Sequence, residues 1–442
     1  MKKLEKNLYK ISWPIFLELL FFTLLGTVDT IMLSNFSDTA VGSVGVANRI
    51  LNLFAILVNV LALGIGVVAA QYLGANQVQK AKDTVVTGVV GNLMIGILLA
   101  TIMIFFGKSF INLIGTNAIF VDDAMVYLRI VGFSLVFVSL RVGLSTAFRS
   151  FSHPKVVMII MGIGNLVNIM INAVLIYGLF GAPRLGVEGA AIGTLVARIV
   201  MVILLTMYTY KILEIKLHKV RFHVEQLKKI LYVGVPGATE NTMYNIAQVL
   251  ILYFVNQMSP EAVIAQSYIS LVLSFVFIFS FAFASGNSII VGYHIGERQL
   301  EDGYQATLKT IKVTFVTILI VTGLLNIFAY PIISMFTDNV QIIKMVRQVI
   351  YISIFIEIGR SMNLVYISAL RSANDTIFPV VMAVISMFGL AVLFTYIFGI
   401  RLEMGIFGVF LAAMMDELFR GTSMAYRWYK RRWMKMSNRD LV

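Results

Sequence analysis

Long apolar stretches dominate the chain, and short polar turns separate them. A helix needs about 20 predominantly apolar residues to cross the hydrocarbon of a bilayer. Twelve stretches meet that length, which predicts an all-α, polytopic membrane protein. The predicted spans are residues 11–34, 47–71, 84–106, 124–147, 156–179, 187–210, 229–256, 262–292, 309–332, 342–369, 377–399 and 405–427.

Two polar motifs inside this pattern occur twice, and both recur at the same spacing along the chain. A Pro-x-x-x-Glu motif ends at Glu18 and occurs again ending at Glu240. An Arg-Ser pair at Arg149 occurs again at Arg371, separated by that same interval. Each half then holds six spans, an even number, so both halves enter the membrane in the same sense. This predicts two six-helix bundles related by an axis along the membrane normal, with a central cleft between them.

The charges around the spans divide the chain and orient it. The predicted domains are an N-terminal lobe (1–210), a polar linker (211–228) and a C-terminal lobe with a basic tail (229–442). With the N-terminus inside, 23 of the 35 Lys and Arg residues lie on that side. Basic residues concentrate on the cytoplasmic side of membrane proteins, so we expect both termini to be cytoplasmic and the protein to lie in the cell membrane.

Composition narrows the class of function. The chain is 59% hydrophobic, has a mean hydropathy of +0.89 and contains no cysteine, which excludes disulfides and thiolate metal sites. Its four histidines lie beside charged or turn residues between spans, so neither a metal nor another cofactor is expected. We attribute the net charge of +13 to cytoplasmic loops facing anionic lipid rather than to nucleic-acid binding. A monomer is expected.

Asp29 is the clearest functional candidate among the acids inside spans. No charged residue lies one helical turn from it. Asn168 and Asn172 share one face of span 5, and Asn172 and Thr194 of span 6 lie at a depth similar to that of Asp29. A buried carboxylate with amide and hydroxyl groups predicts a site for a proton or a hard cation such as Na⁺. The alternative is structural: these polar groups hold neighbouring helices together.

Glu18 and Glu240 each follow a proline by four residues. Proline frees a backbone carbonyl and kinks a helix, so one reading places both acids on bent helices that face a substrate cleft. Tyr244 and Gln248 continue a polar stripe from Glu240 at i+4 and i+8. The alternative reading makes each glutamate a paired acid that stabilises its bundle.

Three further acids have arginines within one turn on the same helix. Glu357 precedes Arg360 by three residues, and Asp416 and Glu417 precede Arg420 by four and three. Intrahelical ion pairs are one reading. The other includes Glu357 and Asp416 in the substrate cleft. The arginines without such local partners, which would pair across helices, are Arg129, Arg141 and Arg198.

Taken together, several motifs resemble the multidrug and toxic compound extrusion (MATE) family over both halves of the chain. They are Asp-Thr-Ile-Met-Leu-Ser ending at Ser34, Gly-Asn-Leu-Val-Asn ending at Asn168, Leu-Gly-Val-Glu-Gly-Ala-Ala-Ile-Gly-Thr ending at Thr194, Leu-Arg-Ser-Ala-Asn-Asp-Thr from Leu370 and Asp-Glu-Leu-Phe-Arg-Gly from Asp416. The resemblance implies a V-shaped transporter of twelve helices. Such a transporter exports amphipathic organic cations in exchange for H⁺ or Na⁺ by alternating access.

The resemblance also implies roles for particular residues. Asp29 matches the coupling acid of the family's N-terminal lobe, and Asn168 and Thr194 match its partners. Asn172 stands where the family has a further aspartate, which weakens the case for Na⁺. In the C-terminal lobe, Arg360 replaces an acid that some members use, so a second cation site is not implied.

Two other classes of function compete with this reading. A flippase for a lipid-linked precursor shares the architecture, but it should show a strongly basic cleft and often more spans. A membrane enzyme would need clustered acids or histidines at a membrane face, and the sequence has none, so we do not expect an enzyme.

Overall fold

A computed structural model describes residues 4–215 and 222–437, and within these ranges the chain is nearly all helical, without strands. Each of the twelve predicted spans coincides with a helix or with a pair of consecutive helices. The helices are α1 Leu8–Ser34, α2 Asp38–Gly74, α3 Val78–Leu113, α4 Ala118–Phe133, α5 Leu135–Ser150, α6 Pro154–Tyr177, α7 Val187–Tyr208, α8 Val224–Val255, α9 Pro260–Gly296, α10 Leu300–Ile327, α11 Ala329–Ser334, α12 Val340–Ser372, α13 Ile377–Ser386, α14 Gly405–Tyr429 and α15 Trp433–Ser437. The all-α polytopic fold is therefore confirmed.

Most of these helices suit a bilayer by composition. In the described ranges, eight are long and apolar enough to span, and a ninth span results if α4 and α5 count as one. The predicted spans that fall outside this set lie on α8, α12 and α14. These three helices carry the charged residues Glu240, Glu357 and Asp416, which lower their hydropathy. All three are nevertheless present as long helices in the structure.

Several helices are irregular in ways that the sequence pattern does not predict. The fourth span bends by 42° where α4 meets α5, at Ser134. π-helical turns extend α7 over Thr209–Leu213 and α13 over Met387–Val392 and Thr395–Arg401. Of the predicted linker 211–228, residues 216–221 lie outside the described ranges, and α8 begins at Val224 within it.

By packing, the described helices form two compact units. Of the described residues, the first unit takes 4–5, 17–73, 77–215 and 222–235, and the second takes 6–16, 74–76 and 236–437. The division by packing therefore cuts α1 after Phe16 and α8 after Val235. The two cuts fall beside Pro14 and Pro236, the residues that begin the two copies of the repeated motif. The packing units do not test the domains 1–210, 211–228 and 229–442, which are derived from the sequence repeat and remain a prediction.

Within the first unit, small residues let two helices approach closely. A Cβ atom on Gly64 of α2 would lie 2.1 Å from the carbonyl oxygen of Ile230. Conversely, a Cβ on Gly234 of α8 would lie 2.1 Å from the carbonyl oxygen of Val60. Only glycine fits at either position, so α2 and the beginning of α8 pack backbone against backbone, as small residues allow in membrane proteins.

Candidate functional site

The polar residues predicted around Asp29 form one hydrogen-bonded chain in the first unit. Asn172 donates from its side-chain nitrogen to Asp29 Oδ1 at 2.7 Å and to Asn168 Oδ1 at 3.1 Å. Asn168 in turn donates to the Thr194 hydroxyl over a longer distance, 3.4 Å. The structure thus brings together all four residues that the sequence predicts as one site. Their role in coupling remains a prediction.

The helices position this chain through spacing and through one glycine. Asn168 and Asn172 are one turn apart on α6 and are fully buried, while Asp29 is half-buried on α1. On α7, a Cβ at Gly193 would lie 2.0 Å from Asn172 Oδ1. Gly193 therefore makes room for the Asn172 amide. That oxygen has no hydrogen-bond partner within the described part of the chain.

Helix α6 holds α1 at two further levels beside Asp29. Asn165 donates to the carbonyl oxygen of Phe21 at 2.7 Å, and the Tyr177 hydroxyl donates to that of Met32 at 2.7 Å. The hydrogen bond from Asn172 to Asp29 lies between these two contacts along both helices. The structural alternative is therefore also present, because the same face of α6 that reaches Asp29 holds the two helices together.

Arg198, one turn after Thr194 on α7, is the cation that acts electrostatically on Asp29. Its guanidinium does not pair with that carboxylate. It donates instead to the Ser134 hydroxyl at 2.5 Å and towards the carbonyl oxygen of Val131 at 3.5 Å. Both acceptors lie at the bend between α4 and α5, so Arg198 supplies a donor where the helix is interrupted. The sequence suggests a partner acid for Arg198 and gives no sign of this bend.

The repeated glutamates are both paired with the repeated arginines. Arg149 binds both carboxylate oxygens of Glu18, with Nε 3.1 Å from Oε2. In the second unit, Arg371 donates to Glu240 at 2.6 Å. Both glutamates are buried, at 3% and 8% exposure. The structure thus shows the paired-acid alternative in both units, while a substrate role for Glu18 and Glu240 stays a prediction.

The serines after these arginines are also equivalent. Ser150 donates to the carbonyl oxygen of Gly66 at 3.2 Å, and Ser372 donates to that of Ser288 at 2.9 Å. Donor and acceptor positions of the two bonds are separated by the same interval as the repeated motifs. The repeat therefore extends from sequence motifs to an equivalent hydrogen bond in each of the two units.

A larger ionic network joins α12 and α14 in the second unit. Arg360 binds Glu357 on its own helix and reaches Glu417 on α14, with Nε 3.2 Å from Oε1. Arg420 binds Asp416 at 2.5 Å and Glu417 at 3.2 Å. The predicted intrahelical pairs are present. Glu417 also links the two helices, which local spacing does not show.

Neutral groups complete the network but leave it negative. Ser386 donates to Asp416 at 2.6 Å, and Asn363 donates to Glu417 at 3.3 Å. Three carboxylates face two arginines, so one negative charge is in excess. Glu357 is fully buried, and its Oε2 atom has no hydrogen-bond partner among the described residues. This oxygen is the one carboxylate oxygen of the network that has no partner in the part of the chain that the structure describes.

The other two candidates of the second unit differ in their relation to this network. Tyr244 lies within electrostatic reach of Arg360 and Glu417. Gln248, one turn later, is exposed and outside the network.

Across residues 4–215 and 222–437, no group of three or more His, Cys, Asp or Glu side chains is arranged to hold a metal ion.

Membrane-spanning helices with buried carboxylates and arginines in each of two repeated units are typical of a polytopic membrane transporter. Comparison with known proteins makes the class specific. The model of the MatE family matches residues 14–174 and 236–397, and each match begins at one of the two repeated prolines. This chain belongs to the MatE family.

Individual relatives are similar to this chain over nearly its whole length and nearly all of their own. The chain is 33% identical to the uncharacterized transporter YisQ of Bacillus subtilis over 97% of this chain and 95% of that protein. It is 24% identical to the probable multidrug resistance protein NorM of Thermotoga maritima over 95% and 91%. A crystal structure of MATE in the bent conformation shares the fold, with a TM-score of 0.89 at 20% identity over 97% and 96%.

Proposed function

We propose that this protein is a drug-efflux antiporter that exports amphipathic organic cations and uses Asp29 to couple export to an inward ion gradient. The observation that carries this proposal is the hydrogen-bonded chain from Asp29 to Thr194. An intramembrane acid is costly to insert, and here it is held by an amide rather than neutralised by an arginine. A carboxylate in that position is able to change its charge during a transport cycle.

The geometry of the Asn172 amide supports H⁺ over Na⁺ as the exchanged ion. A Na⁺ site needs several oxygen ligands around the ion, as other hard cations do. Here the nitrogen of Asn172 points at Asp29, and its oxygen lies against Gly193. One carboxylate is therefore the only charged oxygen ligand that the described residues supply at this position.

The second unit supports a cationic substrate. Its network holds three carboxylates and two arginines, and within the described residues one oxygen of Glu357 has no hydrogen-bond partner. The NorM relatives are named multidrug resistance proteins, which agrees with the export of drugs. As part of the proposal, both termini are cytoplasmic, because most Lys and Arg residues then lie inside.

Transport in proteoliposomes tests the coupling assignment. A proton gradient and a Na⁺ gradient are imposed separately, and efflux of a cationic dye is followed. Asp29→Asn should insert and bind the dye but lose gradient-driven efflux, because an asparagine oxygen can still accept from Asn172 but cannot titrate. Asp38→Asn, which changes an exposed acid at the start of α2, is the matched control. Normal efflux by Asp29→Asn at equal protein level would overturn the assignment.

The same preparation tests a flippase for a lipid-linked precursor. That alternative draws on one observation: Arg141 and Arg198 form no ion pair within the described residues, as is expected of basic groups that bind a pyrophosphate. A flippase would move a lipid-linked pyrophosphate across the bilayer and leave the dye gradient unchanged. Dye efflux driven by an ion gradient would exclude it.

A further inference from the structure

The short helix α15 folds back along the end of α14 in the second unit. Trp433, the first residue of α15, is fully buried, and its ring stacks on that of Trp428 with the centroids 4.2 Å apart. The indole nitrogen of Trp433 also donates to the carbonyl oxygen of Trp428 at 3.2 Å. Helix α15 therefore lies beside the last turn of α14 and does not extend away from the bundle.

An arginine in the turn between the two helices holds this arrangement. Arg431 has a φ of 55°, a conformation that residues other than glycine rarely adopt. Its guanidinium pairs with Glu301 of α10, with Nη1 2.8 Å from Oε2, and lies 4.5 Å from the centre of the Tyr304 ring. An ion pair and a cation–π contact thus bind the turn to α10, so α15 has a fixed place on the second unit.

The level of α15 is that of the membrane surface. The predicted twelfth span ends at residue 427, one residue before Trp428. Around that point, Tyr426 and Tyr429 are 61% and 53% exposed. Amphipathic aromatic side chains concentrate at the level of the lipid headgroups. Because Trp433 stacks on Trp428, α15 lies at this same level.

Three basic side chains are exposed around the fold-back: Lys430, Arg432 and Lys435. None of them forms an ion pair within the described part of the chain. Arg432 immediately precedes the buried Trp433, and Lys435 follows it by two residues. The stacking that fixes the indole therefore also fixes the backbone from which both of these cations extend.

Neighbouring acids do not compensate these charges. Glu301 pairs with Arg431, and Asp375 pairs with Arg427 at 2.7 Å. The first turn of α10 adds one further exposed acid, Asp302. With three cations against that one acid, two positive charges are in excess at this end of the unit. An anion held at the membrane surface would neutralise them.

The headgroup of an anionic phospholipid has the matching chemistry. A guanidinium fork binds two oxygens of a phosphate, and a lysine ammonium adds a point charge. Phosphatidylglycerol carries its phosphate without a cation. Phosphatidylcholine carries the same phosphate beside a quaternary ammonium, so its headgroup has no net charge and is attracted less by the excess cations.

We propose that Lys430, Arg432 and Lys435 bind the headgroup of an anionic phospholipid, and that the stack of Trp433 on Trp428 builds this site by holding α15 at the membrane surface. The site differs from a general attraction of basic loops to anionic lipid, because its affinity depends on the position of α15 as well as on charge. It involves neither the transported molecule nor Asp29, so it is independent of the proposed efflux.

Native mass spectrometry of the purified full chain tests the charges, because it resolves individual bound lipids and gives the affinity for the first one. The probes are phosphatidylglycerol and phosphatidylcholine with identical acyl chains. The unaltered protein should prefer phosphatidylglycerol. The double variant Arg432→Gln, Lys435→Gln should bind it about twentyfold more weakly, since each basic residue near a membrane surface contributes about fivefold. Its affinity for phosphatidylcholine should not change.

A matched control removes two exposed lysines elsewhere. The double variant Lys108→Gln, Lys344→Gln lowers the net charge by the same amount and should keep the preference for phosphatidylglycerol. Loss of the preference in this control as well would show that net charge alone sets it, and would overturn the site.

Two variants of Trp433 test the position of α15 at constant charge. Trp433→Ala retains every basic residue but removes the ring that stacks on Trp428, so it should lose most of the preference. Trp433→Phe keeps a stacking ring and should retain most of it. A full preference in folded Trp433→Ala would show that the basic residues attract lipid without a fixed α15, which contradicts the proposed role of the stack.

Two further outcomes would overturn the site. One is an unchanged preference, or an equal loss of affinity for both lipids, in the variant that lacks Arg432 and Lys435. The other is displacement of phosphatidylglycerol by the same concentration of water-soluble glycerol phosphate, because the residues would then bind a free phosphate rather than a lipid.

Discussion

Gly193→Ala is the smallest change that should disturb the Asp29 site. The new Cβ would lie 2.0 Å from Asn172 Oδ1 and 3.1 Å from its Cγ, so the amide must move aside. Such overpacking costs about 1–3 kcal/mol of stability. The displaced amide would also lose its 2.7 Å bond to Asp29 and its 3.1 Å bond to Asn168, each worth about 0.5–1.5 kcal/mol.

The expected result is a protein that inserts, unfolds at a lower temperature and loses much of its gradient-driven dye efflux. Thermal unfolding in detergent and efflux from proteoliposomes are measured on the same preparation. Gly162→Ala on α6 is the matched control, because its Cβ would meet Phe21 at an ordinary 3.6 Å. Adding Asn172→Ser to Gly193→Ala should recover the stability lost to the clash, but neither the two hydrogen bonds of the amide nor the efflux.

One outcome would refute this reasoning directly. If Gly193→Ala destabilises the protein by the expected amount and yet exports dye at the original rate per folded molecule, the position of the Asn172 amide does not matter for coupling. The hydrogen-bonded chain would then serve only to hold the helices together.

Three further predictions concern the buried charges. Glu18→Gln should lower stability by about 3–5 kcal/mol, because it leaves Arg149 buried and unpaired. Replacing both residues by Met should restore most of that stability. If the losses from the two replacements simply add in thermal unfolding, the pair does not act as expected. Glu240 and Arg371 should show the same pattern in the same assay, since their pair is equivalent, whereas a loss of dye affinity at normal stability would favour the substrate role. Glu357→Gln should weaken binding of a cationic dye by about tenfold, the scale of one charge-assisted contact. It should destabilise the protein less than Glu18→Gln does, because Arg360 keeps Glu417 as a partner. Unchanged affinity would remove Glu357 from the substrate site.

The helical architecture and the Asp29 chain could be predicted from sequence for one physical reason. In a long, regular helix, the number of residues between a side chain and the end of its span gives its depth in the membrane. The spacing between two residues shows whether they lie on the same face of the helix. Asp29, Asn172 and Thr194 are grouped on that basis, and the structure places them in one chain. The bend at Ser134 escapes prediction because no proline marks it, and its acceptors are satisfied by Arg198 from another helix.

The ion pairs between helices escape prediction for a different reason. Glu18 and Arg149 are 131 residues apart, and spacing within one helix says nothing about such a distance. A signal is nevertheless present in the sequence, because both motifs recur at the same interval. Two positions that are duplicated together are candidates for contact, and this criterion pairs Glu18 with Arg149 and Glu240 with Arg371 from the sequence alone.

The same equivalence separates what the two halves share from what they do not. The glutamate–arginine pair and the serine bond beside it occur in both halves. Asp29 occurs in one half, because its equivalent, Ile251, is a buried residue of the second unit's core. The two halves therefore share the paired scaffold, while the acid proposed for coupling belongs to one of them, so the two lobes would contribute unequally to a transport cycle.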